Sequence, residues 1–360
     1  MTRARGSRRG RSRTRVGARE GAVWAGAVPG YHPAMSTICL IGVGRMGEPL
    51  CGGLVRAGYR VRAYDVLADR REAALSHGAA CSDSAADAAA GADVLLTVLP
   101  GPAEVAAVVD DAVLGALSPR ATWIDMSSNT PTDAEPCRKR AAAHGVGVLE
   151  APIGGSPADA AAARLRLFVG GDADLLERHR PLLSAVSDRI THIGGPGTGY
   201  VAKLLVNLLW FGQAAATAEA LLLGRRAGID LGVLTETLAA SPASTAFIQR
   251  DLPALLAGDY LTDFGLDHIH DQLTAVTALA GRLGTPHSVA ESVRRLHEEA
   301  LERYGPADGE LLAVALMEEK AGMLLRHPAA PATATPTDSG KGDGDGDGDG
   351  VTDTRAARRT

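Results

Sequence analysis

The sequence predicts a doubly wound α/β domain with a mostly parallel sheet, followed by an all-α C-terminal domain. Three observations carry this. Between residue 38 and about 195, short β-rich runs alternate with Ala-rich stretches of helical length, the order of βαβ units covered by helices on both faces. Past Gly199 the strand signal disappears and only helical stretches remain. Where the first β-rich run gives way to a helix stands Gly42-Val43-Gly44-Arg45-Met46-Gly47, a turn suited to the first crossover of such a sheet. The 360 residues, 46% hydrophobic and 22% charged, suffice for roughly two domains.

The predicted strands are ICLIGVG from Ile38, YRVRAYD ending at Asp65, DVLLTVLP ending at Pro100, TWIDMS from Thr122, GVLEAP ending at Pro152 and LRLFVGG from Leu165. Residues 200–226 read as one long helix closed by Ala227-Gly228, with further helical stretches at about 230–239, 244–257, 266–282, 286–303 and 308–326. The window 204–223 within the long helix has the length of a membrane span. Asn207, Gln213 and Glu219 lie inside that window, with Lys203, Arg225 and Arg226 around it. Polar groups are costly in hydrocarbon, so a buried central helix is expected and no membrane association. Its apolar circumference leads to the expectation of a homodimer or homotetramer. The predicted units are a disordered or mis-started basic extension at 1–34, the α/β domain at 35–196, an all-helical domain beginning with the long helix at 197–328 and a disordered low-complexity tail at 329–360.

The net charge of −5 sums unlike parts. Residues 1–34 carry eight Arg against one acid, residues 331–360 carry four basic and six acidic groups, and the body between them stands at −10. An acidic body argues against nucleic-acid binding, which needs Lys and Arg on the contact face. Cys39, Cys51, Cys81 and Cys137 are spaced 12, 30 and 56 apart, without zinc-knuckle or CxxC spacing, and read as reduced thiols of a cytoplasmic protein.

In the glycine turn, Gly42 permits the tight bend, Gly44 lets the backbone approach a pyrophosphate, and Gly47 allows helix and strand to pack closely. The helix amides then face the anion. Asp65 ends the next strand, 18 residues beyond Gly47. A carboxylate there accepts ribose hydroxyls and repels a 2′-phosphate, favouring NAD over NADP, although Arg70 and Arg71 just downstream leave NADP open.

Four elements in order then carry a family resemblance: Gly42–Gly47 with Met46 in the turn, Asp125-Met126-Ser127-Ser128, Glu150-Ala151-Pro152-Ile153-Gly154-Gly155, and Gly197-Thr198-Gly199-Tyr200-Val201-Ala202-Lys203-Leu204-Leu205-Val206-Asn207. Over about 37–325 the chain resembles the β-hydroxyacid dehydrogenases, the family containing 3-hydroxyisobutyrate dehydrogenase. The resemblance implies a Rossmann domain, a 6-phosphogluconate dehydrogenase-like C-terminal domain, and hydride transfer between a nicotinamide cofactor and a small β-hydroxy acid or its semialdehyde. It implies that Gly42, Val43, Gly44, Arg45, Met46, Gly47, Asp65, Leu99, Pro100 and Ser128 bind the cofactor, and Ser127, Gly154 and Gly155 the substrate.

Lys203 and Asn207 are four apart on a helix and share a face. A lysine lowered in pKa by burial can take and return the alcohol proton, the role the resemblance implies for Lys203, with Asn207 orienting substrate and lysine. A lysine snorkelling from the helix end, with Asn207 merely packing, is the bland alternative. The chain departs from the family twice. The usual Ala-Pro-Val-Ser-Gly-Gly reads Ala151-Pro152-Ile153-Gly154-Gly155-Ser156, with Ala158 and Ala163 where glycines are usual. The Lys-Asp pair of a later helix is matched to His270-Asp271, giving His270 as a pH-dependent cofactor contact. Asp267, His270 and Asp271 would share a helix face, but hydride transfer to NAD needs no metal and none is expected. Glyoxylate or tartronate semialdehyde reduction fits the same constellation. Imine reduction and an inactive NAD(P)-binding protein rank behind.

Overall fold

The computed structural model describes residues 36–326, and the extension and tail expected at 1–34 and 329–360 lie outside them. The sheet is built from β1 (Thr37–Ile41), β2 (Arg60–Tyr64), β3 (Ala80–Cys81), β4 (Val94–Thr97), β5 (Thr122–Asp125), β6 (Gly147–Glu150), β7 (Ile153–Gly154), β8 (Leu165–Gly171) and β9 (Ser187–Gly194). Its spatial order is β3-β2-β1-β4-β5-β6-β8-β7, with β9 beside β8. β1 to β6 are mutually parallel, β8 runs antiparallel to β6 and β7, and β9 is parallel to β8. The strand order reverses between β1 and β4, which opens a crevice at their carboxyl ends.

Eight helices join these strands: α1 (Gly47–Arg56), α2 (Ala68–Ser76), α3 (Ala85–Ala89), α4 (Pro102–Val108), α5 (Asp111–Ala116), α6 (Pro131–Ala143), α7 (Pro157–Ala161) and α8 (Ala173–Ser184). They cover both faces, and the core divides accordingly. Ile38 and Leu40 of β1 pack with Leu50 and Leu54 of α1, while Cys39 and Ile41 face Ala88, Leu114 and Trp123 on the other side. A strand apolar at successive positions is what a sheet buried on both faces requires. Each such side chain contributes roughly 1.5–3 kcal/mol of burial. All four cysteines are free thiols.

Three strands go beyond the sequence expectation. β3 and β7 are two residues each, too short for a periodic signal. β9 (SDRITHIG) is largely exposed along the sheet edge and carries no apolar alternation; its partner β8 supplies the order.

The C-terminal region is helical: α9 (Thr198–Arg226), α10 (Leu231–Ala240), α11 (Leu252–Ala257), α12 (Leu266–Leu283), α13 (Ser288–Tyr304) and α14 (Leu312–Ala321). The helix expected over 244–257 is a π-helical turn at Phe247–Asp251 running into α11. The helix expected from 308 starts later, because the amides of residues 309–311 donate to the carbonyls of Phe264, Leu261 and Tyr260.

α9 packs against α10, α12, α13, α14, β8 and β9. It is long and apolar enough to cross a membrane by length and composition. Its enclosure is one-sided. Ala214, Ala218 and Leu221 are buried, whereas Leu205, Leu209 and Leu223 are 46%, 62% and 69% exposed. The expectation of a buried central helix is met on one face and not on the other, because the neighbouring elements cover the face of Ala214, Ala218 and Leu221 and leave that of Leu205, Leu209 and Leu223 open.

Candidate active site

The glycine turn has the geometry its sequence implies. Gly42 sits at φ +94°, and a Cβ there would lie 2.3 Å from the Val98 carbonyl oxygen. A Cβ on Gly47 would lie 2.0 Å from the Gly42 carbonyl oxygen, while one on Gly44 would meet nothing within 4 Å. The first and third glycines therefore permit chain packing, and the second leaves open space beside the start of α1. Met46 packs on the core beneath the turn. Asp65 accepts from the Val43 amide at 2.7 Å through Oδ2 and from the Leu67 amide at 3.0 Å through Oδ1. Arg71 donates to the carbonyls of Asp65 (2.6 Å) and Val66 (3.4 Å). Arg45 leaves the turn for the helical region, donating to the Thr262 carbonyl at 2.8 Å and to Asp308 at 3.1 Å. This cradle fits a dinucleotide: open backbone for the pyrophosphate and an acid at the end of β2 for ribose hydroxyls.

The carboxyl ends of β4 and β5 are tied by a buried acid. Asp125 is fully buried and accepts from Thr97 Oγ1 (2.8 Å), the Ser127 amide (3.0 Å), Asn129 Nδ2 (3.2 Å) and Tyr200 Oη (2.6 Å). Trp123 donates to the same Thr97 hydroxyl. Burial and the Asp125 charge raise the Tyr200 phenol well above its usual value, so it remains a donor. This cluster joins the turn after β5 to the first turn of α9. Ser127 is part of that scaffold: it is buried, and its Oγ accepts from the Leu99 amide at 3.0 Å.

α9 comes close to the sheet because two glycines let it. Gly197 turns at φ +91°, with its amide bonded to the buried Glu150 carboxylate. A Cβ on Gly199 would lie 2.5 Å from the Phe168 carbonyl oxygen. One turn further, Lys203 is half-buried, and burial pushes its ammonium down to about 8 while the Glu310 carboxylate pulls the other way. Glu310 is itself pushed up to about 7 by burial and by the charge of Asp263, with Lys203 opposing and Asp251 adding. Leu261, at φ +56°, turns the chain so that its carbonyl receives the Glu310 amide at 2.8 Å.

Asn207 Nδ2 donates to Gln272 Oε1 at 2.6 Å. Between the strand ends and the helices lies a cleft of about 340 Å³, lined by Pro100, Gly101, Ser128 and Asn129 on one side and by Leu204, His268, Asp271, Gln272 and Ala275 on the other. His270 is not among the lining residues. Its neighbours at 268, 271, 272 and 275 make up the cleft-facing stripe of α12 at helical spacing, and 270 falls outside that stripe. The residue expected as a cofactor contact thus stands outside the stripe that lines this cleft, where Asp271 and Gln272 stand. Among the described residues, no three His, Cys, Asp or Glu side chains gather into a metal-holding group.

Gly154 and Gly155 do not line this cleft. The displaced hydroxyl of Ser156 is occupied in a capping box with Asp159 at the start of α7. Of the sequence-derived residues, Pro100 and Ser128 line the cleft; Lys203 and Asn207 are not among its lining residues, and Asn207 is tied to the cleft through Gln272. Gln272, Glu310, Asp125 and Tyr200 went unrecognised as neighbours of these groups. Only Asp125, an acid closing an apolar strand, left a usable signal.

Comparison with known proteins gives a family match for each half of the described chain. The family described as the NAD binding domain of 6-phosphogluconate dehydrogenase matches residues 37–194, and that described as NAD-binding of NADP-dependent 3-hydroxyisobutyrate dehydrogenase matches 197–317. An NAD-dependent L-serine dehydrogenase of Pseudomonas aeruginosa is 37% identical over 206 residues, covering 57% of this chain and 69% of the relative. This chain belongs to the 3-hydroxyisobutyrate dehydrogenase-like β-hydroxyacid dehydrogenases. A probable 3-hydroxyisobutyrate dehydrogenase of Mycobacterium tuberculosis is 36% identical over 219 residues, 61% of this chain and 74% of the relative. The solved Mycobacterium tuberculosis 3-hydroxyisobutyrate dehydrogenase with L-serine matches at TM-score 0.72 and 29% identity, over 78% of this chain and 99% of that one. As a β-hydroxyacid dehydrogenase, the protein is an NAD(P)-dependent oxidoreductase acting on CH–OH groups.

Proposed function

We propose that this β-hydroxyacid dehydrogenase oxidises a small 3-hydroxy acid, or reduces its semialdehyde, with Lys203 as general acid/base and NAD preferred over NADP. The observation that carries the reading is a half-buried lysine with its ammonium lowered to about 8, one turn before Asn207 on the helix that walls the cleft. A group titrating near operating pH serves proton transfer in both directions. When bound, the nicotinamide ring accepts or supplies the hydride. In oxidation the neutral Lys203 amine takes the hydroxyl proton; in reduction the ammonium returns it to the new alkoxide. Asn207, held by Gln272, orients the oxygen, and Ser128 offers a hydroxyl from the opposite wall.

The NAD preference rests on Asp65, which has an amide on each oxygen and lone pairs left for ribose hydroxyls, and on Arg71, whose guanidinium is committed to backbone carbonyls. The substrate class is supported by relatives named for L-serine and 3-hydroxyisobutyrate. The exposed apolar face of α9 supports a homo-oligomer, a second copy being the occupant.

The test is Lys203→Ala, assayed by NADH absorbance on a panel of 3-hydroxy acids and by NADH fluorescence for binding. Turnover is expected to fall at least about 1,000-fold, with NADH affinity retained. Near-normal turnover would end the assignment.

A further inference from the structure

Gln272 stands apart from the other cleft residues. It is 8% exposed, on the cleft-facing stripe of α12, and its two amide ends have different fates. Oε1 accepts from Asn207 Nδ2 at 2.6 Å. Nε2 is buried and has no hydrogen-bond partner. A buried N–H without an acceptor is costly in a folded protein. One that lines a cleft is satisfied when a ligand brings the acceptor.

We propose that Gln272 is a substrate-binding and specificity-determining residue: one end of its amide holds Asn207, and the other donates to the carboxylate of the hydroxy acid. This rests on the hydroxy-acid reading above and adds the group that recognises the acid. The carboxylate is the strongest acceptor such a substrate carries, and hydrogen bonds to charged oxygens are the stronger ones. The two acids of the same cleft do not compete for the position. Asp271 has a side chain 79% exposed beside His270, and Asp133 is likewise exposed, so both sit in solvent at the rim. The buried wall is thereby left to a neutral donor, which binds an anion that a buried acid would repel. Since Gln272 also fixes Asn207, the acid end and the reacting hydroxyl are set by two linked side chains.

The experiment compares Gln272→Glu and Gln272→Met with the full wild-type chain. It measures kcat and KM for 3-hydroxyisobutyrate and L-serine with NAD, and the NADH dissociation constant by fluorescence. Gln272→Glu keeps an acceptor for Asn207 and replaces the free donor with an anionic oxygen. It should raise KM for the acids roughly 10- to 100-fold while kcat and NADH affinity stay within about threefold. Gln272→Met removes both ends in a similar volume and should lower kcat as well as raise KM. If either variant does not fold, the KM of the other decides. An unmoved KM in a folded variant, or a loss of NADH affinity in place of substrate affinity, overturns the proposal. A wild-type chain active on hydroxy acids with unmoved variant KM overturns this inference alone. A wild-type chain that turns over no hydroxy acid overturns both readings.

Discussion

Two opposed influences set the charge of Lys203: burial, which lowers its ammonium to about 8 and makes the neutral base available, and the Glu310 carboxylate, which favours the ammonium. Oxidation draws on the neutral amine, so kcat/KM for oxidation should climb with pH and level off above about 8. Reduction draws on the ammonium and should decline over the same range. Glu310, pushed up to about 7, is largely ionised where Lys203 titrates. Glu310→Gln removes the charge that favours the ammonium, so the midpoint of the oxidation profile should move to lower pH. The alkaline plateau should change by less than about threefold. Initial rates across the pH range read both quantities, and an unmoved midpoint would show that Glu310 does not reach Lys203.

Among the elements, α7 carries a cost at its C-terminal end. Ala163 stands at φ +55° two residues past the helix, with its amide on the Ala160 carbonyl and the Arg164 amide on the Asp159 carbonyl. This is the left-handed position that glycine favours. An L-residue with a Cβ is strained there by about 1–2 kcal/mol. Ala163→Gly should therefore stabilise the protein by about 0.5–1 kcal/mol, after glycine's own chain-entropy cost. A denaturant midpoint that falls in this variant would refute the strain. The joint between β5 and α9 shows the opposite economy: Asp125, Tyr200, Thr97 and Trp123 satisfy one another without solvent, so the strand end and the lysine-bearing helix are set as one piece.

For the whole molecule, the open question of surface lies along α9. Leu205, Leu209 and Leu223 recur on its uncovered side, an apolar face that a second copy would bury. Wild-type protein should run as an oligomer in light scattering, and Leu209→Glu with Leu223→Glu should shift it to a monomer. A wild-type monomer at assay concentration would remove the basis for this arrangement.

The sequence by itself determined the alternation of six strands with helical stretches and the helical C-terminal region, and it singled out the glycine turn, Asp65 and the Lys203–Asn207 pair. Each rests on local rules: periodicity, backbone freedom at glycine, and four-residue spacing on a helix. The tertiary structure alone decided which way α12 turns. That rotation put Asp271 and Gln272 in the cleft and left His270 out, a difference of one residue that no spacing in the sequence resolves. It also decided that the Ser127 hydroxyl is taken by the Leu99 amide, distant in the chain, whereas the Ser156 cap on Asp159 is a local Ser-x-x-Asp pattern. Glu310 reached Lys203 only because residues 309–311 pair with the segment around Leu261. Burial and partnership are properties of packed elements, so the charge state of the lysine and the free amide of Gln272 appear only after folding.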